Sequence, residues 1–322
     1  MAILTIGLSC YDQFFFIPHF PEENRKVFST ELLESGGGPC GNASYLLGLW
    51  ETEVYHITTL KNDIYGQHIL DELQKVNVNV EYSLINQKQT TPLSSILVNE
   101  KTASRTIITH KNNIIKDISD IEKERLNQLI DKLNKKNEIH IVLIDGHEYE
   151  LSEYIIPRLK NKKVVMDAGN VRSSNLNLAK YTNYLVASEN FAQDLIGEES
   201  LSSRDKQLEA LNKIKKISAD NNIPIITLGE NGVISLENEI LHHYSAYQCN
   251  PIDTTGAGDI FHGAFVYGLY QKWDLEKIIY FSSLVSAISI ERKGVRHVIP
   301  TLEEIKKSSL KLKFEGIVKQ PD

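Results

Sequence analysis

Short apolar runs rich in β-branched residues alternate with helical patterns along this chain, and no other feature of the sequence constrains its fold as strongly. The runs that predict buried strands are 3–9, 54–58, 139–144, 163–166, 184–187 and 224–228. Apolar residues repeat at helical spacing in 118–134, 208–217 and 302–312. This alternation predicts an α/β fold in which helices cover both faces of a mostly parallel sheet.

Two stretches, 12–34 and 81–110, break the alternation because they contain strand patterns without intervening helices. The second includes the alternating runs 94–98 and 105–109. We expect both stretches to form a small β-sheet added to a single 1–322 domain. Because ligands of open α/β sheets bind at the carboxyl ends of the strands, we predict a lid over that edge.

The charge balance excludes several classes of protein. The chain has 35 Lys and Arg residues against 42 Asp and Glu residues, and its formal net charge is −7. Nucleic-acid and anionic-membrane binders need broad basic surfaces, so neither partner is expected. A local positive pocket for a small anion is still compatible with this balance.

The cysteines and the first residues of the chain indicate the compartment. Cys10, Cys40 and Cys249 are far apart and odd in number, which fits neither a zinc knuckle nor a disulfide framework. The first residues lack a basic segment, and their apolar run is too short for a signal peptide or a membrane span. We therefore expect a cytoplasmic protein with reduced thiols.

A first glycine-rich segment precedes an apolar helix predicted over 43–50. The dinucleotide pattern G-x-G-x-x-G is matched by Gly36, Gly38 and Gly41. That fingerprint needs a hydrophobic strand directly before it, whereas the strand 3–9 ends much earlier and Pro39 removes a backbone donor. The alternatives are a turn with a helix cap, or a polyol site in which bare glycine backbone admits a ligand beside the amide of Asn42.

The stronger signal is the segment D-T-T-G-A-G-D at 253–259, where small residues turn directly into an apolar helix. Unpaired N–H groups at a helix start bind anions and stabilise developing negative charge. Asp259 would lie in the first helical turn, where an acid can also be purely structural. A carboxylate beside an anion site is what phosphoryl transfer to a hydroxyl requires. The chain has no G-x-x-x-x-G-K-[ST] sequence, which excludes a P-loop enzyme.

These residues resemble those of the ribokinase family, also called the pfkB family of carbohydrate kinases. In the family's order, the matching segments are Gly7 with Asp12, Gly37-Gly38 with Asn42, 62–66, 227–232, 253–259, and 291–294 followed by Pro300. The resemblance covers most of the chain and implies a three-layer α/β/α core with a small β-sheet lid. It also implies ATP-dependent phosphorylation of a hydroxyl on a sugar or sugar derivative, that is, a phosphotransferase.

The resemblance further implies roles for individual residues. Asp259 would be the catalytic base, and the anion hole would consist of the N–H groups of Gly256, Ala257 and Gly258. The residues implied in sugar binding are Asp12, Gly37, Gly38 and Asn42, and we add Arg105 of the lid. The residues implied in nucleotide binding are Ser188, Thr227, Gly229, Gly232, Gly258 and Ser283. Magnesium is the implied metal cofactor, K⁺ is a further candidate at Asp253, Thr255 and Gly294, and a homodimer through the lid is the implied assembly.

One segment departs from the family. Where the family commonly has Asn-x-x-Glu, this chain has Ser188-Glu189-Asn190-Phe191, so the acid with a water-mediated link to magnesium is missing. Glu189 either substitutes in part or is an ordinary acid in a first helical turn, and we favour the second interpretation. Segments 165–172 and 187–192 look most like a subgroup that includes ketose and sulfofructose kinases.

Two other functions stay open. A nucleoside kinase of the same fold would need aromatic cover for a base, which Phe14, Phe15 and Phe16 could supply. A non-catalytic sugar or nucleotide sensor is favoured by the altered segment 188–191 and opposed by the intact Asp259.

Two residue assignments also stay open. Arg105 either meets an anionic substituent of the sugar or is an exposed charge at a sheet edge. The turn at His147-Glu148 follows a predicted strand and either contacts substrate or is an ordinary loop turn.

Overall fold

The strands and helices follow the predicted alternation. In the computed structural model, which describes residues 1–112 and 117–308, the strands are β1 (Ile3–Ile6), β2 (Cys10–Ile17), β3 (Glu31–Gly37), β4 (Val54–Ile57), β5 (Thr59–Leu60), β6 (Leu84–Ile85), β7 (Leu93–Asn99), β8 (Arg105–His110), β9 (His140–Ile144), β10 (Lys162–Ala168), β11 (Tyr184–Ser188), β12 (Ile223–Thr227), β13 (Val233–Glu237) and β14 (Ile240–Tyr244). The helices are α1 (Pro39–Leu49), α2 (Ile64–Lys75), α3 (Asp120–Asn134), α4 (Tyr149–Ile155), α5 (Ser173–Leu178), α6 (Glu189–Ile196), α7 (Arg204–Ile217), α8 (Ala257–Tyr270), α9 (Leu275–Ile290) and α10 (Leu302–Lys307).

The core is an eight-stranded sheet with the spatial order β14-β13-β12-β11-β10-β9-β1-β4. The strands from β12 to β4 in this order run parallel, whereas β13 and β14 form an antiparallel hairpin at the edge. Parallel strands need helical crossovers, which explains why apolar runs and helical patterns alternate in the sequence.

Helices cover both faces of the core sheet. Side chains of α1, α2, α8 and α9 pack with Ile3, Val54 and Ile141 on one face. Side chains of α3, α4, α6 and α7 pack with Leu4, Val142 and Val164 on the other. The alternation of these strand residues between two cores shows that the sheet is buried on both sides, which gives three layers.

Some helix bounds differ from the expectation. Helix α1 begins at Pro39 rather than at residue 43, because proline is well suited to the first turn of a helix. Helix α10 starts at Leu302 and ends at Lys307. Residues 309–312 of the predicted helix lie outside the described residues. No helix in the described ranges is both long enough and apolar enough to cross a bilayer.

A separate four-stranded sheet, with the order β3-β2-β7-β8, is built from strands that lie largely within the two stretches that break the alternation. Strand β2 pairs antiparallel with β3 and parallel with β7. Phe14 and Phe16 on one face of β2 are buried, whereas β8 is exposed along its whole length. We call this sheet the lid sheet.

Lys293, in the loop after α9, joins the lid sheet to the core. Its Nζ donates to Glu31 Oε2 of β3 and to Glu100 Oε1 after β7, both at 2.9 Å. The same ammonium lies 4.5 Å from the ring centre of Phe16 in β2. One cation thus contacts three separate parts of the lid sheet.

We predict that Lys293→Met lets the lid sheet open more often. Backbone hydrogen exchange in β2 and β7 should accelerate by at most about fivefold, because a half-exposed ion pair contributes about 1 kcal/mol or less. Unfolding of the core should be nearly unchanged, and Lys206→Met, which removes another surface ion pair with Glu198, is the control. Equal rates of hydrogen exchange in β2 and β7 of the wild type, Lys293→Met and Lys206→Met would show that Lys293 does not hold the lid sheet closed.

Candidate active site

Helix α8 begins in the glycine turn of the segment 253–259. Gly256 is the residue before the helix and has a left-handed φ of 72°. A Cβ added there would lie 2.6 Å from Cγ1 of Val295, so both backbone conformation and space require glycine. A Cβ added to Gly258 would meet nothing within 4 Å, which leaves open space over the start of the helix. The N–H of Ala257 donates a long hydrogen bond of 3.4 Å to the carbonyl oxygen of Thr254. N–H groups at a helix start that face such space can bind an anion.

Asp259 lies in the first turn of α8 and meets a residue of α1. Its Oδ2 accepts a hydrogen bond of 2.7 Å from Nδ2 of Asn42. Burial raises the pKa of Asp259 and the carboxylate of Asp145 adds to this effect, while the bond from Asn42 opposes it. A carboxylate with a raised pKa is a better proton acceptor at neutral pH.

Asp12 of β2 lies against the glycines that precede α1. Its side chain is buried, and Oδ1 accepts a 3.0 Å hydrogen bond from the thiol of Cys10. A Cβ added to Gly37 would be only 1.8 Å from Asp12 Oδ2, so glycine is required for this close approach. Burial raises the pKa of Asp12 to about 6, although the guanidinium of Arg296 acts in the opposite direction.

A cavity of about 730 Å³ opens beside the glycine turn, a volume suited to a cofactor-sized ligand. It brings together the predicted residues Arg105, Thr227, Gly229, Gly232, Ala257, Gly258 and Ser283. Apolar side chains such as Val233, Phe261 and Ile290 complete its wall. Ser188 is not among the residues that line this cavity.

Arg105 reaches the cavity from the lid sheet. Its Nη1 donates to Oγ1 of Thr254 at 3.0 Å, and the same hydroxyl donates to the carbonyl oxygen of Ala103 at 3.2 Å. The guanidinium therefore lies beside the glycine turn. The assignment of Arg105 to the sugar stays a prediction.

Asp253 is a buried carboxylate that holds the glycine turn together. Oδ1 accepts hydrogen bonds from the N–H and the hydroxyl of Thr255 at 2.9 and 2.6 Å, and Oδ2 accepts one from the N–H of Gly294 at 3.1 Å. Within the described part of the chain, no Lys or Arg side chain pairs with it. A buried carboxylate beside a hydroxyl is the kind of oxygen donor set that suits a hard cation.

Comparison with known proteins identifies the family. The model of the pfkB family of carbohydrate kinases matches residues 2–302. The chain belongs to the pfkB family of carbohydrate kinases. A ribokinase of Lactococcus lactis is 27% identical over 290 residues, which is 89% of this chain and 89% of that protein. A deoxyribokinase of Salmonella typhi is 22% identical over 310 residues, or 94% of this chain and 97% of that one.

The fold of this kinase is also shared with solved structures. The structure of Arabidopsis thaliana ribokinase complexed with ribose and ATP aligns with a TM-score of 0.76 and 18% identity over 95% of this chain and 97% of that one. The predicted fold class, the predicted enzyme class of phosphotransferase and the carbohydrate-kinase function are thus confirmed. The finer resemblance to ketose and sulfofructose kinases and the assignment of individual site residues stay predictions.

The kinase carries further carboxylates that sequence reasoning did not single out. Asp167 lies at the end of β10, and Asp145 follows β9, where its carboxylate accepts hydrogen bonds from the N–H groups of Leu8, Cys40 and His147. Burial, together with the carboxylates of Asp259 and Asp145, raises the pKa of Asp167 to about 6 against the effect of His262. His262 Nδ1 lies 3.2 Å from Asp167 Oδ2. An acid directly at the carboxyl end of a predicted strand was the available signal.

Sequence reasoning also missed Arg296. Its side chain is fully buried, and Nη1 forms a 2.6 Å ion pair with Oε2 of Glu72 in α2. A basic residue within the run V-R-H-V-I-P was the only signal in the sequence. The turn at His147-Glu148 proves partly structural, because Glu148 is buried and accepts hydrogen bonds from the backbone and side chain of Thr59.

The altered segment 188–191 has a packing role. The hydroxyl of Ser188 caps α6 by accepting from the N–H of Phe191 at 3.1 Å and donates to the carbonyl oxygen of Gly169 at 2.7 Å. Phe191, at the position of the family's acid, is fully buried in the apolar core. Glu189 is in the first turn of α6, which agrees with the structural interpretation of that residue.

We predict that Gly37→Ala raises the KM for the sugar by about 10- to 100-fold, because the added methyl must displace the carboxylate of Asp12 by an ångström or more. The KM for ATP should change little. Gly169→Ala, whose Cβ meets nothing within 4 Å, is the matched control and should keep the wild-type sugar KM. An unchanged KM in Gly37→Ala would remove Asp12 and Gly37 from the sugar site.

Proposed function

We propose that this protein is an ATP-dependent kinase for a small sugar, with Asp259 as the base. The observation that carries the proposal is the 2.7 Å hydrogen bond between Asn42 and Asp259. It joins the helix start that can bind phosphate to the glycines that can bind a polyol. A sugar hydroxyl and a phosphoryl group can therefore meet at one carboxylate.

The sugar would be held on the α1 side of the site. Asp12 would accept hydrogen bonds from two hydroxyls, and the backbone at Gly37 and Gly38 would allow the ring to approach closely. Asn42 would keep the carboxylate of Asp259 ionised and correctly oriented. Asp259 would then take the proton of the attacking hydroxyl as the bond to phosphorus forms.

The nucleotide would occupy the cavity beside α8. The adenine would lie against Val233, Phe261 and Ile290, and the N–H groups of the 256–258 turn would bind the transferred phosphoryl oxygens. Arg105, held by Thr254, would add positive charge there when the lid sheet is closed. A closed lid also excludes water, which limits the hydrolysis of ATP.

The carboxylates near the site fit a magnesium ion that would be held mainly by the phosphates of the nucleotide. No three acidic or imidazole groups among the described residues converge closely enough to ligate a metal by themselves. Mg²⁺ in phosphoryl-transfer enzymes is mostly held by phosphates, water and one or two carboxylates, and neutralises phosphate charge. Asp167, whose pKa is raised by burial and by neighbouring acids, is the residue we expect to face it. Asp253 and Thr255 would hold K⁺ and so keep the glycine turn rigid.

The substrate class we favour is a pentose or a similar neutral sugar. Two relatives are named ribokinase and deoxyribokinase, and Asp12 with Asn42 offers acceptors and donors suited to uncharged hydroxyls. The position of Arg105 beside the glycine turn argues for a phosphate contact rather than for an anionic substituent on the sugar. A nucleoside kinase and a non-catalytic sensor are the competing outcomes of the tests below.

We predict that Asp259→Asn lowers kcat by about 10²- to 10⁴-fold, the usual contribution of a general base, while both substrates still bind. The assay is ADP release with ribose, 2-deoxyribose, ketoses and nucleosides, combined with calorimetric binding. Asp205→Asn removes an exposed acid from the first turn of α7 and is the matched control.

The results separate the candidate functions. Stimulation by a sugar together with loss of turnover in Asp259→Asn supports the proposal. Stimulation by nucleosides alone indicates a nucleoside kinase, and binding without turnover by the wild-type protein indicates a sensor. Near-normal turnover by Asp259→Asn contradicts the mechanism.

We further propose a cytoplasmic homodimer that forms through the lid sheet. The outer face of the lid exposes apolar side chains of β3 and β8, namely Leu32 and Ile108, of which Ile108 is 64% exposed. Exposed apolar groups on a strand that is accessible along its length favour association. Cys10 and Cys40 are buried free thiols, in keeping with a reducing compartment.

We predict that the wild-type protein elutes with the mass of a dimer in light scattering, and that Ile108→Glu shifts it to a monomer, because a buried charge without a partner opposes association. Ile240→Glu changes a comparably exposed isoleucine at the far edge of the core sheet and should leave the dimer intact. A monomeric wild-type protein would contradict the proposed assembly.

A further inference from the structure

Arg296 has the largest of the fully buried side chains in the described residues, and its charge is compensated by one partner. Nη1 pairs with Glu72 Oε2 at 2.6 Å, and the same carboxylate oxygen accepts the N–H of Gly36 at 2.8 Å. An arginine stays protonated in proteins, and a buried charge is costly unless it is paired and hydrogen-bonded. Burial of this ion pair therefore costs folding free energy, and the other contacts of the guanidinium indicate a function for it.

The remaining donors of the guanidinium point at the sugar side of the site. Nε donates to Asn42 Oδ1 at 3.3 Å, and Nη2 donates to the carbonyl oxygen of Gly37 at 3.5 Å. A Cβ on Gly36 would lie 2.1 Å from Nη1, so the guanidinium is in close contact with the backbone of this strand. Arg296 thus contacts Gly37, which precedes α1, and Asn42, which lies in the first turn of α1.

The contact with Asn42 determines which way its amide faces. Arginine has only donors, so the amide atom next to Nε must be the oxygen. The NH₂ group of Asn42 is then on the other side, where it donates to Asp259 Oδ2 at 2.7 Å. Arg296 therefore donates to Glu72 on one side and to Asn42 on the other, and Asn42 donates in turn to Asp259.

We infer that Arg296 is a positioning residue for sugar phosphorylation, because through Asn42 and Gly37 it orients the groups that hold the base and the sugar. The inference rests on the proposed function. The opposing explanation is that the Arg296–Glu72 pair only joins the loop after α9 to α2, in which case its removal affects stability and not turnover.

The pH dependence offers a readout that a structural role would not change. The groups facing Asp12 are the thiol of Cys10, the hydroxyl of Ser94, the carboxylate of Asp259 and Arg296, whose charge lowers the pKa of Asp12. Sugar binding weakens as the pH falls through that pKa, because a protonated Asp12 loses an acceptor. Loss of the Arg296 charge raises the pKa further, so the weakening begins at a higher pH.

The experiment replaces both members of the ion pair in Glu72→Met/Arg296→Met. Apolar replacement of a whole buried pair is often neutral for stability, whereas one member alone leaves an unpaired charge. We expect an unfolding temperature near that of the wild type and an unchanged KM for ATP. The kcat/KM for the sugar should fall about 10- to 100-fold, as for loss of a group that orients an active-site ligand. The acidic limb of the pH profile of kcat/KM for the sugar should move to higher pH in the double variant.

Two further variants keep the test decisive. Arg296→Lys retains the charge but not the planar fork, so kcat/KM for the sugar should still fall while the pH profile stays near that of the wild type. Glu198→Met/Lys206→Met removes another 2.6 Å ion pair, in the contact between α6 and α7, and should leave the kinetics unchanged.

The outcomes distinguish the inference from the proposed function. An active wild-type protein whose ion-pair double variant shows wild-type kcat/KM and pH profile overturns the positioning role and leaves the kinase intact. If the double variant does not fold, wild-type kinetics in Arg296→Lys overturn the positioning role and leave the kinase function intact. If the wild-type protein phosphorylates no sugar, the proposed function fails and the inference fails with it.

Discussion

The close packing of α1 on α8 is the constraint on which the whole site depends. A Cβ added to Gly263 of α8 would lie 3.1 Å from the Cα of Ala43 in α1, so the two helices approach about as closely as side chains allow. Asn42 is next to Ala43, and Asp259 is one helical turn before Gly263 on the same face. A larger residue at this contact would separate the helices and lengthen the hydrogen bond between Asn42 and Asp259.

Much of the core could be predicted because a parallel sheet buried on both faces needs continuous apolar runs. The run 139–144 became β9 (His140–Ile144), and 224–228 became β12 (Ile223–Thr227). Such runs reveal a strand but not its neighbours, so the parallel pairing of β2 with β7 in the lid sheet was not foreseen. Strand order depends on tertiary packing, which local patterns do not encode.

The site could be predicted only where its functional groups lie together in one short segment of the sequence. The turn 253–259 indicates a helix start by its composition alone, whereas for Asn42 the residues gave a polyol site only as one alternative, which the family resemblance then favoured. The pair of Glu72 and Arg296 joins residues 224 positions apart, and neither has a local signal, since a charged residue is normally read as a surface residue. Asp167 directly follows the predicted strand 163–166 and so had a local signal, but that signal does not show which other acids lie beside it, since this depends on the strand order.

The loop after α9 carries four consecutive residues with four different targets. Lys293 contacts the lid sheet, Gly294 donates to Asp253, Val295 packs on Gly256, and Arg296 contacts Asn42. Because these targets lie in the lid sheet, the glycine turn and α1, the number of residues in this loop matters as much as their identity. A one-residue insertion or deletion would move each side chain to its neighbour's target, and single substitutions could not restore the match. The evolution of this loop is therefore expected to proceed by exchange of residues at constant length.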